Sequence, residues 1–231
     1  MKLVVCSKEY EIEEKVDNLL SALNYIKSYH NNSLAYRSGC KSGICGSCAV
    51  LVNGTEKLSC KTVIVENDTV EPLRNSNIIK DLVVDISVQN KLLKKANAQL
   101  QSFQQDTILE NDVQIIDKES NCILCNSCYS SCPVYEVNKE FIGPFALVRA
   151  YRYIDDKKEI NKKNIIDHIQ DNGVFSCTLC GNCNMVCPSL IDIKGDIMKL
   201  QNKSVQHGHQ NPNMMSGFND SLDFGFNPNG F

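Results

Sequence analysis

Twelve of the thirteen cysteines in this 231-residue chain fall into sets whose spacing suits metal ligation. Three fates compete for so many thiols: disulfides, zinc, or iron–sulfur clusters. The odd count, and the lack of a secretory pattern in Met1–Lys8, argue against a disulfide framework. Spacing must separate the other two. Cys40, Cys45, Cys48 and the later Cys60 follow the C-x4-C-x2-C…C arrangement of plant-type [2Fe–2S] ligation. Gly39, Ser42, Gly43, Gly46 and Ser47 surround them and are small enough to let backbone N–H groups reach the sulfurs. Such hydrogen bonds favour the reduced, more negative cluster and raise its potential. Zinc fits this uneven spacing in a Gly/Ser loop poorly.

The second half carries an internal repeat. Cys122, Cys125, Cys128 and Cys132 precede Pro133, and Cys177, Cys180, Cys183 and Cys187 precede Pro188. Each copy reads C-x2-C-x2-C-x3-C-P, the bacterial ferredoxin run whose fourth cysteine serves the other cluster. That crossover assigns one [4Fe–4S] cluster to Cys122, Cys125, Cys128 and Cys187. A second goes to Cys132, Cys177, Cys180 and Cys183. One run alone could be a zinc ribbon; a tandem pair with trailing prolines points to clusters. Cys6 is left over and is expected as a small buried strand residue. His30, His168, His207 and His209 stand outside these sets and receive no role.

These ligands need scaffolds. Around the first set, Lys2–Cys6 and Tyr10–Glu14 read as strands joined by Ser7–Glu9. Leu19, Leu20, Leu23 and Ile26 recur at helical spacing and predict a helix over 17–29. Ala49–Val52 and Leu58–Cys60 flank Asn53-Gly54, a pair favoured in tight hairpins. Thr62–Val65 and Thr69–Leu73 read as further strands. Residues 89–118 contain no cysteine, glycine or proline and read as helix plus linker. Helices are expected over Ile142–Ile154, opened by Gly143-Pro144, and over Ile160–Gln170. From Ser204 the chain turns Asn-, Gly- and Phe-rich, which predicts an extended or disordered tail. The domains expected are 1–88, 89–203 and a tail, 204–231.

Composition excludes several classes. Net charge is −3, without the basic excess of a nucleic-acid binder. No apolar run approaches the length that spans a bilayer, so membrane association would have to come through a partner. No acid/base pair, nucleophile or nucleotide loop is visible, so no turnover is expected from this chain alone.

The chain resembles the iron–sulfur subunit of the succinate dehydrogenase/fumarate reductase family over about residues 1–200. The resemblance is carried by Arg37-Ser-Gly-Cys-Lys-Ser-Gly-Ile-Cys-Gly-Ser-Cys48, Lys57-Leu-Ser-Cys-Lys-Thr62 and Asp81-Leu-Val-Val-Asp85. It continues in Cys122-Ile-Leu-Cys125, Phe141-Ile-Gly-Pro144, Ala150-Tyr-Arg152 and Gly173-Val-Phe-Ser-Cys177. It implies an α+β fold: an N-terminal plant-type ferredoxin (β-grasp) domain and a C-terminal helical, bacterial-ferredoxin-like domain. It further implies an electron relay between a FAD-containing flavoprotein subunit and a quinone-reactive membrane-anchor subunit. A peripheral position on the cytoplasmic face of the membrane follows, or the periplasmic face by co-export with a partner.

Two departures from the commonest members stand out. Their third cluster is [3Fe–4S], with a non-cysteine residue at the position of Cys180. Here Cys180 supplies a fourth ligand, which favours [4Fe–4S], of lower potential, over [3Fe–4S]. Some members also place Trp near quinone after the first Cys-Pro; this chain has Val134-Tyr135 and no Trp at all. No quinone residues are carried over. The competing readings are a relay subunit of a thiol-coupled fumarate reductase or of a flavin-dependent hydroxyacid oxidoreductase. A zinc-stabilised interaction module is the rival from another class.

Overall fold

The computed structural model of the chain describes residues 1–102 and 104–212. Strands β1 (Lys2–Val5) and β2 (Lys8–Glu11) pair antiparallel, with Leu3 opposite Tyr10 and Val5 opposite Lys8. Cys6 and Ser7 form the turn, at φ 48° and 63°, the left-handed pair that suits hairpin twist. The expected strand through Cys6 is therefore corrected: the chain reverses there, and Cys6 is half-buried in a turn.

Helix α1 (Leu19–Tyr29) is capped by Asn18, whose side-chain oxygen accepts the Ser21 N–H at 3.0 Å. It buries Leu19, Leu20, Ala22, Leu23 and Ile26, the stripe its spacing predicts. Strands β3 (Ala49–Val52) and β4 (Thr55–Leu58) meet at Asn53-Gly54, with φ 50° and 75°. Because that turn needs only two residues, pairing starts at Val52 opposite Thr55. The strand expected at Leu58–Cys60 is thus complete before Cys60.

Strand β5 (Asp68–Glu71) takes the centre of a five-stranded sheet ordered β2-β1-β5-β3-β4, parallel to β1 and antiparallel to β3. Leu3, Val5, Val50, Val52 and Val70 pack with α1 in one core. The strand expected at Thr62–Val65 is absent; Val63 and Val65 face solvent with no neighbouring strand to pair with. A separate small hairpin, β6 (Ile78–Lys80) and β7 (Val83–Val84), adds to the expected elements.

The rest is helical. Helix α2 (Ser87–Lys95) is followed by a connection, then by the short helices α3 (Glu110–Gln114) and α4 (Asp117–Ser120). Two more short helices, α5 (Ser127–Ser130) and α6 (Pro133–Val137), accompany the first cysteine run. Helices α7 (Pro144–Ile154) and α8 (Lys162–His168) lie close to their expected bounds. A 3₁₀ turn (Val174–Ser176), α9 (Asn182–Met185) and α10 (Ile193–Gln206) complete the order.

Helix α7 is the hub, packed by α2, α4, α8 and α10. Gly143 precedes it at φ +86°, and a Cβ there would lie 2.0 Å from the Tyr129 ring. Tyr129 fills that space, edge-on to Phe145, and its hydroxyl donates to the Ile142 carbonyl. Helix α10 is not among the expected elements, although Ile193, Ile197, Leu200 and Ser204 form its buried stripe. It also corrects the expected start of the tail. Ser204 is fully buried and its hydroxyl accepts from Gln170 Nε2 at 3.0 Å. The tail phenylalanines Phe218, Phe224, Phe226 and Phe231 lie outside the described residues.

A buried carboxyl pair clamps α10 to α4. Burial pushes the Asp196 carboxyl up to about 7, and the adjacent Glu119 adds to the shift against the opposing charge of Lys199. Oxygens Oε2 of Glu119 and Oδ2 of Asp196 are buried without a donor, so a proton on Asp196 supplies one. The folded-state value lies above the unfolded value of about 3.9, so the folded state binds this proton more tightly. The stability it adds is present in full below about pH 4 and is lost as pH rises through about 7. Denaturant unfolding between these limits should show that decline, and Asp196→Asn should flatten it. A slope unchanged by the substitution would refute the assignment.

Candidate metal centres

The loop between α1 and β3 carries Cys40 and Cys45 at the surface, while Cys48 and Cys60 are buried. Backbone N–H groups of Ser42, Ile44 and Cys45 point at Cys40 Sγ from 3.3–3.4 Å. Cys45 Sγ accepts from the Cys40 N–H at 3.3 Å and lies 3.1 Å from Ser47 Oγ. The small residues are required by this closeness: a Cβ on Gly39 would stand 2.8 Å from Cys45 Sγ. Hydrogen bonds from the Ser42 side chain and then from backbone N–H groups bring Cys40 down to about 5, making it a thiolate at neutral pH. Cys45 is lowered in the same way, first by Ser47. Burial instead pushes Cys48 up to about 11, and its Sγ lies 3.4 Å from that of Cys60. Cys40 and Cys45 are thus linked through backbone N–H groups at the surface, and the Cys48 and Cys60 sulfurs meet in the interior.

The two cysteine runs adopt the same backbone. Leu124 and Leu179 share φ of 52° and 57°, and Asn126 and Gly181 share 68° and 83°. Each run curls around a cavity, and each cavity takes three cysteines from one copy and one from the other. Cys122, Cys125, Cys128 and Cys187 line the first with Phe145, Val148, Ile191 and Ile193. It holds about 360 Å³ of space between atoms, part of it continuous with solvent. Cys132, Cys177, Cys180 and Cys183 line the second with Val134, Phe141 and Ile197, around about 340 Å³.

A structural zinc would draw four sulfurs to within about 2.3 Å of one point. Among the described residues no set of His, Cys, Asp or Glu is arranged to hold a single ion that way. The thiols line the two cavities, and an all-cysteine donor set suits an iron–sulfur cluster. Burial raises the thiol pKa of Cys122, Cys125, Cys132 and Cys177, lifts Cys183 to about 12 and puts Cys128 well above its ordinary value. A cationic centre bound there would favour their thiolate forms, with release of the protons they carry.

The elements join around these sites through contacts that no local pattern announces. Glu56 on β4 accepts from Ser130 Oγ at 2.7 Å, and Ser130 Oγ accepts the Arg74 N–H at 2.9 Å. Asn75, at φ 62°, donates from Nδ2 to the carbonyls of Tyr129 and Ser130 at 3.0 Å and Cys132 at 3.4 Å. Gly46 lies against the first run: a Cβ there would stand 2.8 Å from Cys125 Cβ and 2.9 Å from the Ile123 carbonyl. The only local signal for these contacts is Asn75-Ser76-Asn77, whose composition suits a turn. The two tail-side histidines are occupied by local bonds, His207 to the Lys203 carbonyl and His209 to Asp167.

Residues 4–91 match a 2Fe-2S iron-sulfur cluster binding domain, and residues 119–191 a 4Fe-4S dicluster domain. The fumarate reductase iron-sulfur subunit of Escherichia coli is 37% identical over 194 residues, covering 79% of this chain and 80% of that one. The chain belongs to the iron–sulfur subunits of the succinate dehydrogenase/fumarate reductase family. As a member of that family it is an electron-transfer component of an oxidoreductase. A chain of the Mycobacterium smegmatis Sdh1 complex in the apo form matches with a TM-score of 0.80 and 25% identity, covering 90% of this chain and 97% of its own length. One chain of the CoM/CoB fumarate reductase of Methanothermobacter marburgensis is 33% identical over 205 residues, 87% of this chain but 41% of that one.

Proposed function

We propose that this family member carries one [2Fe–2S] and two [4Fe–4S] clusters between a FAD-containing succinate/fumarate flavoprotein subunit and a quinone-reactive membrane-anchor subunit. The observation that carries this reading is the pair of cavities, each lined by three cysteines of one repeat and one of the other. Cys40, Cys45, Cys48 and Cys60 would hold [2Fe–2S], and Cys122, Cys125, Cys128 and Cys187 the first [4Fe–4S]. Cys132, Cys177, Cys180 and Cys183 would hold the third cluster. When bound, these clusters supply one-electron carriers. The chain's own residues hold them in order, shield the second and third with aliphatic and aromatic walls, and leave the Cys40–Cys45 edge open to a partner.

Among the described residues no helix is long and apolar enough to cross a membrane. A peripheral position on the cytoplasmic face of the membrane, reached through the anchor subunit, agrees with that, and co-export to the periplasmic face is the alternative. The likeness to the CoM/CoB fumarate reductase chain favours, as a second reading, a relay coupled to thiol oxidation. Anaerobic reduction of the clusters in the purified complex separates the two: succinate should reduce them in the first case, and a thiol donor in the second.

The third cluster gives a sharper test. Cys180 is exposed at the rim of its cavity, alongside Cys177, Cys183 and Cys132. Anaerobically purified protein is expected to hold about ten irons per chain, two plus four plus four. Cys180→Ser should lower this to about nine and introduce the EPR signal of an oxidised [3Fe–4S] centre. That signal already strong in the unsubstituted protein would sink the assignment.

A further inference from the structure

Helix α7 presents Phe145 and Val148 to the first cavity. Arg149 is one turn on from Phe145, so the two side chains are neighbours on the helix surface. A cation here needs an explanation, because α7 otherwise buries Phe145, Ala146, Leu147, Val148, Ala150 and Ile154. Its neighbour Arg152 has one: a 2.9 Å ion pair with Asp156 and a 3.3 Å hydrogen bond from Nε to Ser120 Oγ. Arg149 has neither. Its Nε–H is buried with no hydrogen-bond partner and no carboxylate pairs with it, among the described residues. Its guanidinium carbon lies 5.9 Å from the centre of the Tyr153 ring. The Arg149 charge also reaches the Cys122 sulfur: burial pushes that thiol up, and the Leu124 N–H and then Arg149 pull it back.

Arg149 is half-buried, and its enclosed Nε–H costs stability unless an acceptor answers it. The first cavity supplies that acceptor once its thiolates and cluster are in place. We infer that Arg149 is a positioning residue for the first [4Fe–4S] centre, its charge and buried N–H raising that centre's reduction potential relative to the other two. The physical reason is that reduction adds one negative charge, and a cation beside it stabilises the reduced form more than the oxidised form. The inference rests on the cluster assignment for this cavity. It adds a residue that no cysteine spacing identifies.

The test is an anaerobic, EPR-monitored redox titration of the full chain purified with its partner subunits. Arg149→Met is expected to lower the midpoint of the first [4Fe–4S] centre by at least tenfold in equilibrium constant, about 60 mV for one electron. The other two midpoints should stay in place. Arg149→Lys keeps the charge and should recover most of the shift. If Arg149→Met loses the cluster, Arg149→Gln, which keeps donors without charge, carries the same measurement. A midpoint unchanged at full iron content overturns the inference, as does an equal shift of all three centres or a failure of Lys to rescue. Absence of a [4Fe–4S] signal from the unsubstituted protein would instead overturn the cluster assignment, so the two failures are distinguishable.

Discussion

Gly46→Ala is expected to destabilise the chain by about 2–5 kcal/mol and to pull the two cysteine-bearing halves apart. Gly46 sits at φ +70°, where a Cβ is strained before any neighbour is considered. The left-handed conformation contributes about 1–2 kcal/mol of that figure. The remainder comes from overpacking of about 1–3 kcal/mol, because the new methyl meets Cys125 Cβ at 2.8 Å, the Ile123 carbonyl at 2.9 Å and Cys125 Cα at 3.0 Å. Backbone atoms cannot swing aside as a side-chain tip can. The loop of Cys40–Cys48 must therefore retreat from the first repeat, lengthening the path between the sites. Denaturant unfolding measures the first effect. Rapid-mixing EPR measures the second: the [2Fe–2S] signal should appear at the usual rate and the first [4Fe–4S] signal should lag. Unchanged stability and unchanged lag together would show that this contact positions nothing.

Cys187→Ala should abolish the first [4Fe–4S] centre and spare the third, although Cys187 belongs to the second repeat. Cys132→Ala should do the reverse. The reason is the cavity linings: Cys187 stands with Cys122, Cys125 and Cys128, and Cys132 with Cys177, Cys180 and Cys183. The cost should extend beyond the missing centre, since each crossing ligand ties one repeat to the other. For comparison, binding of one structural zinc provides about 10–16 kcal/mol of folding free energy to a small domain. Thermal unfolding of the helical half should accordingly shift down in both variants. EPR of the dithionite-reduced proteins, with iron content, reads which centre is gone. Loss of the third centre in Cys187→Ala, with the first intact, would refute the interleaving.

Much of the site was legible because thiolate spacing is a local property. The paired runs and the Cys40–Cys60 set are written within short stretches, and the loop conformations they need are local too, as the matched left-handed Leu124 and Leu179 show. Helix α1 and helix α7 were legible for a similar reason: each has a cap or a Gly-Pro start and a continuous apolar stripe. Strand ends were less so. The Cys6-Ser7 turn contains no glycine, so nothing in its composition marks two residues at positive φ. The alternation at Thr62–Val65 looks like a strand, yet a strand exists only where a neighbour supplies hydrogen bonds, and none lies there. Helix α10 was hidden by the polar residues between its buried positions, and it ends beyond Ser204 because Gln170 and the core hold that serine.

By itself the sequence showed which sulfurs are available and how their spacing groups them, and its longer motifs carried the resemblance to the family. Residue type and spacing are one-dimensional, so both could be read without the fold. Tertiary structure alone decided that Gly46 touches Cys125, that Asn75 holds the Cys132 carbonyl, and that Asp196 faces Glu119. It also decided that the Arg149 Nε–H is buried without a hydrogen-bond partner on the helix whose Phe145 and Val148 line the first cavity. These are meetings between residues far apart in the chain, set by how the sheet, the hub helix and the two repeats pack. Potentials and stability depend on burial and on the charges within a few ångströms, and neither exists until the chain has folded.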